Sequence, residues 1–130
     1  MVTNYNISFD TVFCDCCKDD PLAHVSKEII DVKDYWICKK QQGVFTERML
    51  YFTQERLKQK KLGNEIESQG LKILINAGYG VFGYEYFKYF NKDVAILIAA
   101  YGRYTLTKMI ELAQFQGFKV VYGDTDSLLL

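Results

Sequence analysis

Three helix-length stretches, separated by glycines, dominate this chain and limit it to a mostly helical fold. In residues 44–61, Phe45, Met49 and Phe52 recur at i, i+4 and i+7 as one apolar stripe, with Gly43 or Thr46 near the start. Leu62-Gly63-Asn64 is a natural break. A second helix is predicted over 65–78, with Leu71, Leu74 and Ile75 on its buried side and Lys72, Asn76 and Tyr79 on another. Gly78, Gly80 and Gly83 then punctuate the chain. A third helix over 93–116 turns Val94, Leu97, Ile98, Tyr101, Leu112 and Phe115 inward and stops at Gly117. Residues 118–122, 123–126 and 127–130 read as strand, tight turn and strand, a β-hairpin with carboxylates at its tip. The expected class is therefore α+β: a two-helix antiparallel hairpin and a long helix beside a β-hairpin.

The first part of the chain is less regular. Asn4, Asn6, Asp10 and Asp15 favour turns, and Pro21 opens a short helix or a loop reaching about residue 34. Tyr35-Trp36-Ile37-Cys38 is a short apolar run closed by Lys39-Lys40-Gln41-Gln42-Gly43. With 130 residues, 49% of them hydrophobic and 15% aromatic, the chain suits one compact domain or a piece of a larger one, and disorder is excluded. A single Pro and nine Gly exclude collagen-like or Pro-rich character. The net charge of zero excludes a global basic field, yet residues 39–61 carry seven basic and two acidic groups, a net of +5. Such a segment suits a local anion site. The longest apolar run, residues 94–100, is seven residues, far short of the roughly 18 that a membrane span needs. No signal peptide opens the chain, and a soluble, cytoplasmic protein with no membrane partner is expected.

Asp124 and Asp126 at a turn between apolar strands bring two like charges close together. Hard carboxylate oxygens suit Mg²⁺, which takes one or two carboxylates plus substrate phosphates. An Asx-type turn that merely closes a hairpin has the same spacing. Arg56 and Lys60 lie one helical turn apart within the basic segment, and Lys72 adds a third cation. Together they suit a polyphosphate, Arg as a fork and Lys as a point charge; a solvated basic face is the alternative. Asn76 and Tyr79 continue the Lys72 face with an amide and a flat ring. Charge neutralisation, base contact and a metal are what phosphoryl transfer from a nucleotide requires.

Lys72-Ile73-Leu74-Ile75-Asn76-Ala77-Gly78-Tyr79-Gly80 resembles the K-x-x-x-N-S-x-Y-G motif of family B DNA polymerases. Tyr122-Gly123-Asp124-Thr125-Asp126-Ser127 matches that family's Y-G-D-T-D-S motif throughout. The two motifs occur in the family's order. Ala100-Tyr101-Gly102-Arg103 resembles part of its long palm helix, and residues 1–8 resemble the stretch after its first catalytic motif, D-x-x-S-L-Y-P-S-I. The resemblance spans essentially the whole chain and is closest to archaeal members. It implies palm over residues 1–43 and 81–130, and a fingers helical hairpin over 44–80. It implies that Arg56, Lys60 and Lys72 contact the incoming triphosphate and that Asn76 and Tyr79 line the nascent base pair. Asp126 becomes a direct ligand of the catalytic metals, Mg²⁺ or Mn²⁺, with Asp124 beside it. Gly80, Tyr122, Gly123 and Thr125 come close to primer and template. The implied substrates are deoxynucleoside triphosphates and primer–template DNA, at the nucleoid.

Three departures from the family pattern stand out. The motif serine is Ala77, a small-for-small change. Only eleven residues separate Lys60 from Lys72, so a short fingers hairpin is expected. No motif here carries the first catalytic Asp, and two-metal catalysis draws carboxylates from both palm motifs. The expectation is a polymerase fragment, inactive alone, with a companion polypeptide supplying the first palm motif, exonuclease and thumb. A non-catalytic DNA-binding or assembly module derived from a polymerase is the alternative. Cys14, Cys16, Cys17 and Cys38 lack the usual zinc-finger spacing; reduced thiols and zinc both stay open. By resemblance to relatives from hot environments, a disulfide from the first cluster to Cys38 is a third option. His24, the only histidine, is expected at the surface.

Overall fold

The structure is a computed structural model and describes residues 2–124 and 127–129. Its described elements are α1 (Val2–Tyr5), a 3₁₀ turn (Asp15–Cys17), α2 (Val44–Lys61), α3 (Glu65–Gly83), α4 (Lys92–Phe115), β1 (Tyr122–Asp124) and β2 (Ser127–Leu129). The expected α+β class, mostly helical with one hairpin, is what the chain adopts.

Helix α2 has the bounds that its sequence pattern predicts. Its start is capped from a distance. Gly43 is the N-cap and has no side chain to offer. The Asp10 carboxylate accepts from the Val44 N–H at 3.1 Å, and Ser8 Oγ accepts from the Phe45 N–H at 3.2 Å. Two of the donors a helix start leaves unpaired are thereby satisfied. The backbone approach is close: a Cβ on Gly43 would stand 2.4 Å from the Cβ of Ser8. The helix ends at Gly63, whose φ of 79° takes the left-handed conformation. The Gly63 N–H donates to Lys60 O and the Asn64 N–H to Gln59 O, the paired bonds of a Schellman ending.

Helix α3 runs to Gly83, five residues beyond the predicted end at 78. The three glycines do not stop it because its last turn is anchored: Phe82 is 1% exposed, and its ring meets Phe45 edge-on at 4.5 Å between centroids. Gly78 is a contact point between the helices. A Cβ there would lie 3.0 Å from Phe45 Cζ and 3.2 Å from Met49 Sδ. Ser68, Gly78 and Phe82 are buried, with Leu71 and Ile75 half-buried between them. This line steps three or four residues at a time. Leu74, predicted inward, is instead 46% exposed, since it falls off that line.

Helix α4 opens at Asn91, whose Oδ1 accepts from the Val94 N–H at 3.1 Å. Gly117 ends it in a second Schellman pattern, with φ 86° and Phe118 N–H donating to Ala113 O. Val94, Leu97, Ile98 and Tyr101 are buried as expected, but Leu112 and Phe115 are 59% and 90% exposed. The core covers only the first half of the helix. Its other members are Ala100 of the same helix, Ile7, Val12, Val25, Ile30, Tyr35 and Ile37 from the irregular first part, and Phe82 from α3. That first part forms no helix after Pro21; residues 21–34 are turns and irregular backbone. α1, four residues long, is regular where only turns were expected.

The strand predicted over 118–122 begins only at Tyr122. β1 and β2 pair antiparallel, with Tyr122 opposite Leu129, Gly123 opposite Leu128 and Asp124 opposite Ser127. The hairpin rests on α4, where a Cβ on Gly123 would meet Leu106 and Ile110 side chains at 3.7 and 3.8 Å. Among the described residues, no helix is long and apolar enough to cross a membrane.

Candidate functional site

The candidate residues divide between the α2–α3 hairpin and the β-hairpin. On α2, Arg56 is half-buried and Lys60 exposed. Arg56 Nε is buried and has no hydrogen-bond partner among the described residues. Lys58 pairs with Glu55 at 3.6 Å, whereas Arg56, Lys60 and Lys72 form no ion pair among the described residues. Their charge is left for another partner. The tip is held by amide side chains: Asn64 donates to Gln59, and Gln59 to the Glu55 carboxylate, each at 2.7 Å.

On α3, Lys72, Asn76, Tyr79 and Gly80 are all exposed, while Ser68, Gly78 and Phe82 of the same helix are buried. The packed stripe against α2 therefore leaves the Lys72-Asn76-Tyr79 face open. Nothing within 4 Å would meet a Cβ on Gly80, so a large group can approach the backbone there. Tyr79 also borders an open groove lined by Gly83, Tyr84, Phe90, Lys92 and Ile96. Sequence reasoning missed the connection over residues 84–90. The density of Tyr and Phe in it was the available signal; Tyr84, Tyr86, Phe87, Tyr89 and Phe90 all stay exposed.

Tyr122 is exposed and Gly123 packs on α4, as described. Thr125 and Asp126 lie outside the described residues, as does the side chain of Asp124, so the carboxylate pair has no described geometry. His24, expected at the surface, is half-buried: its Nε2 is 2.9 Å from Lys18 O, and its ring lies 5.8 Å from that of Trp36.

The cysteines come together. Residues 35–38 run between residues 11–13 and 23–25, joined to them by Phe13 N–H to Trp36 O, Cys38 N–H to Thr11 O and Ile37 N–H to Ala23 O. Side chains of such an extended segment alternate. Tyr35 and Ile37 enter the main core, while Trp36 and Cys38 enter a second small cluster with Cys14, Cys17 and Ala23. The four sulfur atoms all lie within 4.8 Å of one another. All four cysteines are free, which sets the disulfide aside in this structure. Burial, and hydrogen bonding with the other three thiols, push Cys14 up to about 12. Hydrogen bonding to Cys38 and Cys17 raises Cys16. Burial acts upward on Cys38 too, but the backbone N–H groups of Gln41 and Lys40, with the Cys16 and Cys14 thiols, outweigh it and bring Cys38 down to about 7. This thiol set is chemically unlike a Mg²⁺ site, which takes oxygen ligands.

The sequence profile of DNA polymerase family B matches residues 1–130. DNA polymerase 1 of Sulfurisphaera ohwakuensis is 34% identical over 143 aligned residues, covering all of this chain and 16% of that protein. DNA polymerase 1 of Sulfolobus acidocaldarius is 35% identical over 143 residues with the same coverage. DNA polymerase II of Escherichia coli is 41% identical over 68 residues, 52% of this chain and 9% of its own length. The chain thus spans about one sixth of the archaeal relatives that it matches.

Proposed function

The chain belongs to DNA polymerase family B, and from that membership we propose that it takes part in template-directed nucleotidyl transfer, the attack of a primer 3′-hydroxyl on the α-phosphate of a deoxynucleoside triphosphate. Residues 44–80 are the fingers hairpin, and residues 1–43 and 81–130 belong to the palm. The site would work on primer–template DNA at the nucleoid.

The observation that carries this reading is the open Lys72-Asn76-Tyr79 face of α3, kept free by the packing of the opposite stripe on α2. Lys72, Arg56 and Lys60 hold the triphosphate. Arg56 offers the terminal fork of its guanidinium, and the lysines act as point charges. These cations offset charge on the phosphate oxygens and orient the α-phosphate, so that part of the entropic cost is met by binding. Asn76 and the Tyr79 ring bound the base pair, and the open space at Gly80 admits the template backbone. Tyr122, Gly123 and Thr125 line the approach of the primer end. Asp124 and Asp126 carry the hard oxygen donors that Mg²⁺ or Mn²⁺ takes, and they would hold such an ion. When bound, the ion supplies Lewis acidity to the phosphoryl group. The family's D-x-x-S-L-Y-P-S-I motif, which residues 1–130 do not include, would complete the carboxylate set.

The test is equilibrium binding of a deoxynucleoside triphosphate to the chain with primer–template and Mg²⁺. Arg56→Ala and Lys72→Ala should each weaken nucleotide binding about tenfold or more, a loss on the order of 1.4 kcal/mol, while Lys119→Ala leaves it unchanged. Primer extension should appear only when the companion motif is supplied, and Asp126→Ala should abolish it. DNA binding that ignores both nucleotide and these substitutions would overturn the proposal in favour of a non-catalytic DNA-binding module.

A further inference from the structure

Every cysteine of the chain converges on one point, although three come from residues 14–17 and the fourth from residue 38. Cys16 Sγ lies 3.7 Å from Cys17 Sγ and 3.5 Å from Cys38 Sγ, and the Cys17–Cys38 separation is 3.9 Å. A tetrahedral zinc ion with Zn–S bonds of about 2.3 Å sets its sulfurs about 3.8 Å apart. A disulfide would instead draw two sulfurs to about 2.05 Å and leave the other two with no role. We propose that Cys14, Cys16, Cys17 and Cys38 form a structural tetrathiolate site for one Zn²⁺ ion.

The surroundings suit a closed structural site. Trp36 Nε1 donates to Cys14 O at 2.8 Å, and Lys40 Nζ donates to Cys16 O at 2.9 Å. These bonds fix the main chain behind two ligands, as outer groups do in metal sites. Lys40 also brings a positive charge to a centre whose net charge would be −2. The backbone N–H groups of Lys40 and Gln41 point at the Cys38 sulfur. Binding releases the thiol protons to solvent and leaves four thiolates on the ion, which changes no oxidation state. His24 has no ring nitrogen among the clustered ligand atoms, and its Nε2 contacts Lys18 O.

The fold gives such a site something to do. Between α1 and α2 the chain has no regular element except one 3₁₀ turn, and a structureless connection of that length is uncommon in a compact domain. The main core holds residues 7, 12, 25, 30, 35 and 37 of that connection, whereas its cysteine end has only the small cluster of Cys17, Ala23, Cys38, Cys14 and Trp36. Zinc there ties residues 14–17 to residue 38. Asn6 carries the constraint onward: its Nδ2 donates to Cys38 O at 2.9 Å and to Gln41 O at 2.8 Å, and its Oδ1 accepts from Gly43 N–H at the start of α2. The site would therefore set where the α2–α3 hairpin leaves the rest of the fold.

The test uses the reduced full chain, with Zn²⁺ and Co²⁺ as probes. The expected results are one zinc per chain after desalting and a Co²⁺ complex with the intense visible bands of a tetrahedral tetrathiolate, bleached by one equivalent of Zn²⁺. Cys14→Ser, Cys16→Ser and Cys38→Ser should each alter those bands and weaken Co²⁺ binding by more than about tenfold, whereas His24→Asn leaves both unchanged. If a serine variant fails to fold, the stoichiometry and the wild-type cobalt spectrum still decide. The proposal is overturned by a metal-free chain with four thiols open to modification, by a Cys38 disulfide in the purified protein, by acid-labile sulfide with iron, or by a cobalt spectrum that Cys14→Ser does not change.

Discussion

Asn6 concentrates much of the local energy of the first part of the chain in one residue. It sits at φ 55°, in the left-handed region, and makes three hydrogen bonds that reach residues 38, 41 and 43. At about 0.5–1.5 kcal/mol net for each bond, Asn6→Ala should destabilise the chain by about 2–4 kcal/mol in urea unfolding. Asn6→Gly loses the same bonds without the Cβ strain, so it should recover about 1 kcal/mol of that cost; equal losses would show that the backbone conformation is not strained. Gly78 poses the opposite problem. A Cβ there would stand only 3.0 Å from Phe45 and 3.2 Å from Met49, whereas Gly70 in the same helix has open space. Gly78→Val should cost about 1–3 kcal/mol by overpacking, and Gly70→Ala should gain up to about 1 kcal/mol from helix propensity.

Among the elements, α4 shows how one helix can be half core and half surface. Val94, Leu97, Ile98 and Tyr101 are buried, and Leu112 and Phe115 are not. Leu97→Ala should cost about 2–5 kcal/mol, while Leu112→Ala should stay within about 0.5 kcal/mol. Thermal unfolding of the two variants compares the same substitution on the same helix; similar losses would mean that the second half is covered. The start of α4 also holds a titratable contact. Tyr35 donates to Asp93 Oδ1 at 2.9 Å, and Lys33 lies 3.1 Å from the same oxygen. Burial, then the Asp93 carboxylate, pushes Tyr35 up to about 12 from an ordinary 10.0. The folded chain keeps that proton where the unfolded chain has lost it. This contribution is therefore fully present below pH 10 and declines as the pH rises from 10 toward 12. Wild type should lose more stability than Tyr35→Phe across that window; parallel curves would remove the effect.

For the whole molecule, the main core joins the irregular first part to the end of α3 and the start of α4, while the described residues of the β-hairpin pack on the later part of α4. Amide exchange should follow this division. Residues 94–101 should be the slowest, and residues 108–115 should exchange many times faster, because local opening there exposes little new apolar surface. Uniform protection along α4 would contradict the distribution of burial.

Much of this protein was legible before any folding was considered. The apolar stripe of α2 and the stops at Gly63 and Gly117 depend on residues within one or two helical turns, and those are written in consecutive residues. The Lys72-Asn76-Tyr79 face follows from helical spacing, and the match over residues 122–127 is a matter of order alone. Other features depend on partners distant in the chain. Gly78, Gly80 and Gly83 look like breaks until Phe82 is seen anchored against Phe45. The cap of α2 comes from Asp10 and Ser8, more than thirty positions away. Leu112 and Phe115 carry the inward pattern, yet nothing described covers them. The Cys-x-Cys-Cys spacing fits no familiar finger, and 22 positions separate Cys16 from Cys38. Only the backbone pairing of residues 11–13 and 23–25 with residues 35–38 brings their sulfurs together, since burial and ligand geometry are properties of the folded chain and not of its order.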